Sequence, residues 1–193
     1  MRYLLTVCLF LLVITVSVAR AETPIDVEHS TIRIHVGKSG LFSAAGHEHW
    51  VAAPIAEGSL EETPAHISFR VEARELKVEE DKSLSAEKQA EVQRTMQTQV
   101  LESDQFPEII FHSTSVQETG ADTWEVRGDL TLHGQTRPVT ARVQKQLGAY
   151  VGRCQLKQTE FGIQPVRVAG GVVKVKDQLD IEFSVVPARA DGH

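Results

Sequence analysis

The chain has 193 residues, of which 41% are hydrophobic, and its 20 Lys and Arg against 26 Asp and Glu give a formal net charge of −6 at pH 7. An acidic surface of this kind repels nucleic acid and anionic membranes, so we expect no nucleic-acid partner. The sequence also lacks a G-x-S-x-G nucleophile elbow, a phosphate-binding glycine loop and a dinucleotide fingerprint, so we expect no enzyme, no catalytic residue and no cofactor.

Residues 1–21 have the three parts of a secretory signal peptide. Arg2 precedes an apolar run from Leu4 to Val18, and Ala19-Arg20-Ala21 forms a small-residue cleavage site. The apolar run is shorter than the roughly 20 residues that a membrane span needs. We therefore expect cleavage after Ala21, a periplasmic or secreted protein, and no stable membrane insertion after cleavage. An uncleaved membrane anchor is the alternative.

Cleavage would remove Arg2 and Arg20 and no acid, which leaves 172 residues with 18 Lys and Arg against 26 Asp and Glu, a net charge of −8. A chain of this length fits one domain, which we place at residues 22–188, followed by a disordered tail at residues 189–193. Cys154 would be the only cysteine left, so packing rather than an intramolecular disulfide must stabilise the fold. We expect the Cys154 side chain to be a small buried apolar group.

Alternating apolar and polar residues predict three strands in the first part of the mature chain. The first strand carries Ile32, Ile34 and Val36, and the second extends from Trp50 across Pro54 toward Leu60. The third covers residues 67–73.

Residues 85–103 predict an amphipathic helix. They contain no Gly or Pro, and their apolar residues recur at helical spacing: Val92, Met96, Val100 and Leu101. Ser85 is the expected N-cap, and Glu87 in the first turn suits the helix dipole. A helix with one narrow apolar stripe is expected to lie across an end or a flank of the sheet.

Five further stretches of alternation predict the remaining strands, at residues 109–111, 124–132, 139–143, 150–156 and 173–185. The second and third of these form an antiparallel hairpin around a His-Gly-Gln-Thr turn at residues 133–136. Residues 160–171 are expected to form a longer loop or an irregular edge. The predicted fold class is therefore all-β, an antiparallel barrel of about eight strands with one amphipathic helix inserted between strands.

The order of several short motifs resembles the YceI-like family of exported lipid- or polyisoprenoid-binding proteins. Residues 130–139 (LTLHGQTRPV) are similar to that family's strand, G-x-T-x-P-V turn and strand. Residues 104–111 (DQFPEIIF) are similar to its segment after the helix, residues 159–163 (TEFGI) to its R-x-D-F-G-I segment, and the last strand to its V-x-L-x-I-x-F pattern. The resemblance spans residues 25–186 and implies a lipocalin-like barrel that encloses a long isoprenoid-type chain in an apolar tunnel.

The inward positions of the predicted strands are apolar and mostly aliphatic. A barrel of eight strands either fills with side chains or holds one ligand, so the fold class alone does not decide between them. Gly128, Gly152 and Cys154 interrupt the large side chains, and we expect these small residues to leave room for a polyisoprenoid, an isoprenoid quinone or a similar lipid. The predicted lining residues are Ile34, Val36, Phe69, Val71, Phe111, Val126, Leu130, Val143, Leu156, Ile181 and Phe183.

The alternative function is a metal or haem site at the motif GHEHW. His47 and His49 are two residues apart, which on an extended strand places both imidazoles on one face. His112 and His133 are possible third ligands, and Glu48 could orient a ring. A surface that contacts a partner protein is a third alternative, and the sequence leaves formation of a homodimer open.

Overall fold

Antiparallel strands make up most of the protein. The computed structural model describes residues 22–39, 48–62, 65–168 and 173–189. Within these ranges the structure has eight long strands, each of which overlaps a predicted strand: β2 (Thr31–Ser39), β4 (Ile55–Glu62), β5 (Ala65–Glu72), β7 (Glu108–Gly120), β8 (Thr123–Leu132), β9 (Gln135–Gln146), β10 (Ala149–Lys157) and β12 (Val173–Val185). Four short strands complete the described set: β1 (Thr23–Pro24), β3 (His49–Ala52), β6 (Lys77–Val78) and β11 (Arg167–Val168).

The strands form one curled antiparallel sheet in the order β1-β4-β5-β7-β8-β9-β10-β12-β2-β3-β6, with β11 paired to β12. The strand predicted from Trp50 to Leu60 is divided at Ala53 and Pro54, because proline cannot donate a ladder hydrogen bond. Its first part, β3, pairs with β2, and its second part, β4, pairs with β5. The corner at Pro54 therefore connects the two ends of the sheet.

The N-terminal segment completes the closure of the barrel. The Ile25 backbone N–H donates to the Gly58 carbonyl at 2.9 Å, and the Asp26 N–H donates to the Val186 carbonyl at 2.8 Å. Ile25 also forms a β-bridge with Pro187, directly after β12. Residues from both ends of the domain are thus hydrogen-bonded to each other, and the predicted barrel is confirmed.

Tight two-residue turns connect the long hairpins. The turn between β8 and β9 consists of His133 and Gly134, with φ angles of 51° and 69°, so Gln135 and Thr136 belong to β9 rather than to the predicted four-residue turn. The turn between β9 and β10 consists of Leu147 and Gly148, with φ angles of 50° and 86°. Positive φ at both central residues is typical of the type I′ turn that suits the twist of a hairpin.

The predicted helix is present as α1 (Ala86–Thr95), extended by a π-helical turn at Met96–Val100. Ser85 is its N-cap, as predicted, and accepts a hydrogen bond from the Lys88 N–H at 3.4 Å. The helix lies across one end of the barrel, and Met96 and Val100 pack against the buried core. We call this the helix end. The opposite end, which carries the β7–β8 and β9–β10 turns, is the hairpin end.

The solid part of the core lies beneath the helix. Phe161 is fully buried in the 3-10 turn Gln158–Phe161, and Ile163 next to it is also buried. Both pack in one cluster with Val51, Leu76, Leu101, Leu132 and Leu156. Among the described helices, none combines the length and the hydropathy that a membrane-spanning segment requires.

Candidate functional site

The interior of the barrel contains a cavity of about 1050 Å³. Its walls are the inner faces of the long strands, and residues of α1 border it at the helix end. Pockets for small organic ligands usually measure about 300–1,000 Å³. The interior is therefore large enough to hold a bulky or long molecule.

All eleven predicted lining residues border this cavity. Four of them are buried (Val71, Phe111, Val126 and Leu156), whereas the other seven keep part of their surface accessible although they point inward. In a close-packed interior such residues would lose nearly all of their accessible surface. Their partial exposure is the signature of a void. That these side chains contact a ligand stays a prediction.

The expectation that Gly128 and Gly152 leave room is wrong, because aromatic rings occupy the space above both glycines. A Cβ added at Gly128 would lie 2.4 Å from Phe111 Cζ, and one added at Gly152 would lie 2.5 Å from Phe183 Cζ. Each glycine thus accommodates a ring from the neighbouring strand. Gly128 and Gly152 therefore do not supply the volume of the cavity.

Cys154 borders the cavity on β10 and is half-buried. Burial raises the pKa of its thiol to about 11. Because the thiolate is the reactive form of cysteine, the free thiol is unreactive at neutral pH. The raised pKa agrees with the expected apolar role of Cys154. Because the thiol borders the cavity, its rate of alkylation depends on whether a ligand covers it.

Polar side chains cross the hairpin end of the cavity. The Tyr150 hydroxyl donates to Glu62 Oε1 at 3.1 Å, and Lys145 Nζ lies 3.6 Å from the same oxygen. Lys145 also lies over the Tyr150 ring, 5.1 Å from its centroid, and these contacts with Tyr150 and Glu62 raise its pKa. Trp124 meets Tyr150 edge to face at 5.7 Å. Contacts between β4 and the β9–β10 hairpin therefore lie at this end of the cavity.

Charged side chains also border the helix end. They are Lys38 on β2, Lys174 on β12, and Lys88 and Glu91 on α1. Lys88 Nζ and Glu91 Oε2 form an ion pair at 2.9 Å. Polar groups thus lie at both ends of a cavity whose middle is apolar.

The described histidines of the alternative hypothesis, which are His49, His112 and His133, are not gathered into one site. His47 lies outside the described residues, and His49 borders the cavity. His133 Nε2 contacts Glu102 at 2.8 Å, Glu48 contacts His35 at 3.2 Å, and His112 is exposed on β7. In the part of the chain that the structure describes, no three His, Cys, Asp or Glu residues are arranged to hold a metal ion.

Sequence reasoning missed several residues of the cavity wall. Trp124 and Tyr150 border it at the hairpin end, and Met96 and Leu132 border it at the helix end. Trp124 lies on the same face of its strand as Val126, and Tyr150 lies on the same face as Leu156. Strand periodicity could therefore have predicted both as lining residues. No local signal places Met96, because its position depends on where the helix lies across the barrel.

Two of the solved structures that share this fold are similar to most of the chain. BcnA of Burkholderia cenocepacia superposes with a TM-score of 0.60 at 15% identity, covering 85% of this chain and 99% of BcnA. A polyisoprenoid binding domain from Saccharophagus degradans superposes with a TM-score of 0.57 at 10% identity, covering 84% of this chain and 95% of that domain. At sequence identities this low, the two similarities show a shared fold and nothing about function.

Sequence relatives match part of the chain. A UPF0312 protein of Vibrio cholerae is 32% identical over 92 residues, which cover 42% of this chain and 47% of that protein. A UPF0312 protein of Pseudomonas putida is 38% identical over 95 residues, which cover 44% of this chain and 46% of that protein. The chain thus spans about half the length of the curated relatives it matches. The model of the YceI-like domain matches residues 24–186, nearly all of the barrel, and the chain therefore belongs to the YceI-like family.

Proposed function

We propose that this protein is an exported carrier that holds one long apolar lipid in the barrel interior. The lipid class is a polyisoprenoid, an isoprenoid quinone or a similar long-chain molecule. The observation that carries the proposal is the cavity of about 1050 Å³, whose middle is lined by apolar side chains. The predicted lining residues would contact the chain of the lipid, and the proposed function needs neither a metal ion nor a catalytic group.

The length of the cavity suits a chain rather than a compact ligand. Trp124 and Leu132, at the two ends of β8, both border it. Eight steps along a strand span about 26 Å, or about 20 Å along the barrel axis when the strand is tilted by about 40°. A long hydrocarbon tail can lie extended along this axis.

Burial of a tail in this cavity is sufficient for useful affinity. About 15 buried carbons contribute about 12 kcal/mol, at about 0.8 kcal/mol each. An association cost of about 4 kcal/mol leaves about 8 kcal/mol, which corresponds to a micromolar dissociation constant. The similarity in fold to the Saccharophagus degradans domain, a polyisoprenoid binding domain, supports the same ligand class here.

Protection of Cys154 from alkylation tests the proposal. We expect added geranylgeraniol to slow modification of Cys154 by N-ethylmaleimide at pH 9 several-fold, because the lipid would cover the thiol. Mass spectrometry of proteolytic peptides assigns the modification to Cys154, and native mass spectrometry detects lipid that co-purifies from the natural host. Without lipid, the rate should rise about tenfold per pH unit up to pH 10, since the raised pKa keeps the thiol protonated.

A matched pair of variants on β9 supplies the control. Ala141 borders the cavity and its neighbour Thr140 is exposed. Ala141→Trp should fill the cavity and abolish lipid binding, whereas Thr140→Trp should bind as the wild type does. Equal binding by both variants, or no binding of any prenol or quinone by the wild type, would refute the carrier function.

A further inference from the structure

The two ends of the cavity carry opposite formal charge. At the helix end three lysines (Lys38, Lys88, Lys174) and one acid (Glu91) border the cavity. At the hairpin end three acids (Glu61, Glu62, Asp122) and one lysine (Lys145) border it. With histidine neutral, the formal sum is +2 at the helix end and −2 at the hairpin end.

The strand register fixes these groups at opposite ends. Lys38 pairs with Val175 near the end of β2, where β12 begins. Glu61 pairs with His66 beside the β4–β5 turn, and Asp122 lies in the β7–β8 turn. The apolar middle of the cavity separates the two groups, so each acts on a different part of a long ligand.

The known contacts of Lys145 and Lys88 leave the sign of the formal charge at each end unchanged. Lys145 is engaged by Glu62 and by the Tyr150 ring, which leaves acids in excess at the hairpin end. Lys88 pairs with Glu91 at the helix end. Lys38 and Lys174 make polar contacts of their own, so the inference depends on the sum of the charges and not on a lysine without a partner.

Local charge outweighs the charge of the whole molecule for a group bound inside. The protein is acidic overall, with a formal charge of −6. At physiological ionic strength, however, charges act over a Debye length of about 8 Å. Apolar walls also strengthen nearby interactions because they exclude water. A head group at the helix end therefore interacts chiefly with the lysines there.

We propose that the carried lipid has a single anionic head group, a carboxylate or a phosphate monoester, and binds with that head at the helix end and its tail toward the hairpin end. This inference rests on the proposed carrier function. It adds a preference for head-group charge that a purely apolar tunnel would not have. A neutral prenol or quinone would occupy the same tunnel with lower affinity.

Ligands with one tail and different heads test the preference. We would measure dodecanoate, dodecan-1-ol and dodecylamine by calorimetry at pH 7.5, with dodecyl phosphate as the second anion. We expect both anions to bind about tenfold more tightly than the alcohol, and the amine to bind most weakly. Raising the salt concentration from about 0.01 M to about 1 M should reduce the difference in affinity between anion and alcohol.

Two double variants identify the end at which the head binds. Lys38→Gln/Lys174→Gln should remove most of the anion preference, measured as the ratio of the affinities for dodecanoate and dodecan-1-ol. Arg142→Gln/Arg153→Gln removes the same charge from paired exposed positions on β9 and β10 that do not border the cavity, and it should keep the wild-type preference. Circular dichroism verifies that both variants are folded, and the salt dependence of the wild type tests the inference independently of either.

The outcomes separate this inference from the carrier function. If all four ligands bind with equal affinity, or if the amine binds most tightly, the head-group proposal is wrong and the carrier function stands. If none of them binds, and geranylgeranyl phosphate and geranylgeraniol also fail to bind, the carrier function itself is refuted. Preference for one anion over the other decides between a carboxylate and a phosphate head.

Discussion

At the scale of single residues, ring-over-glycine contacts shape the barrel wall. The Phe111 ring covers Gly128 on the adjacent strand, and the Phe183 ring covers its direct partner Gly152. Phe111 also stacks on Phe69 at 5.3 Å. Such aromatic coverage of glycine fixes strand register, because a shift by one residue would place the ring against a side chain. The two glycines are therefore structural, and we expect them to resist substitution.

Gly128→Ala tests this role. The added methyl group would lie 2.5 Å from the His112 carbonyl oxygen as well as 2.4 Å from Phe111 Cζ. Backbone cannot rotate away, so we expect a loss of about 1–3 kcal/mol in the free energy of unfolding, measured by urea denaturation. Gly37→Ala is the control, because the three atoms nearest its Cβ would all belong to the flexible Lys176 side chain, and it should stay within about 0.5 kcal/mol of wild type. Equal losses in both variants would contradict this account.

At the scale of elements, polar contacts of α1 add to the packing of Met96 and Val100 in holding the helix on the barrel. No residue of α1 is buried. Three glutamines at intervals of four residues instead bond to the backbone of residues 73–79. Gln89 donates to the Glu79 carbonyl at 2.8 Å, Gln93 to the Leu76 carbonyl at 2.9 Å, and Gln97 to the same carbonyl at 3.0 Å. These side chains satisfy backbone groups along the β6 edge that would otherwise be left to water.

Gln93→Ala should loosen the helix from the barrel. Gln93 both donates to the Leu76 carbonyl and accepts from the Val78 N–H at 2.8 Å, so the substitution removes two hydrogen bonds. We expect a loss of about 1–3 kcal/mol in unfolding free energy and faster hydrogen exchange at the Val78 amide. Gln99 on the exposed side of the same segment provides the matched control, and Gln99→Ala should change neither quantity. Unchanged exchange at Val78 in Gln93→Ala would show that other contacts hold the helix.

At the scale of the whole molecule, the barrel combines a closed hydrogen-bonded wall with a partly empty interior. Closure depends on the corner at Pro54 and on the contacts of Ile25 with Gly58 and Pro187. An empty cavity forfeits the dispersion contacts that a filled core would make. A ligand that fills it restores those contacts, so binding and stability must be coupled.

Removal of lipid should therefore lower the melting temperature. A ligand at about 100 times its dissociation constant stabilises a folded protein by about 2.7 kcal/mol. For a domain of this size that corresponds to about 5–10 °C. Melting followed by circular dichroism, on protein stripped of lipid and on protein reloaded with it, measures the shift. Ala141→Trp should show no shift, and a wild-type shift of zero would argue against an interior ligand.

The sequence by itself determined the local features of this protein. Alternation of period two indicated the approximate positions of the eight long strands and the inward side of each, since successive side chains in a regular strand point to opposite faces. Ser85 and the residues that follow it specified the start of the helix, because capping is a contact within four residues. The Gly134 turn specified the hairpin in the same way. The eleven predicted inward residues thus border the cavity that the structure contains.

Only the tertiary structure decided how much of the interior is empty. From the sequence we expected Gly128 and Gly152 to leave open space in the interior. In the structure, aromatic rings from neighbouring strands occupy the space above both glycines. The break at Pro54, the path of the helix and the opposite charges at the two ends also depend on contacts between residues distant in sequence. Volume and charge in a cavity are sums over every strand and their register. The sequence of one strand shows which side chains that strand contributes to the cavity. The total volume and charge follow only when all strands are placed in register.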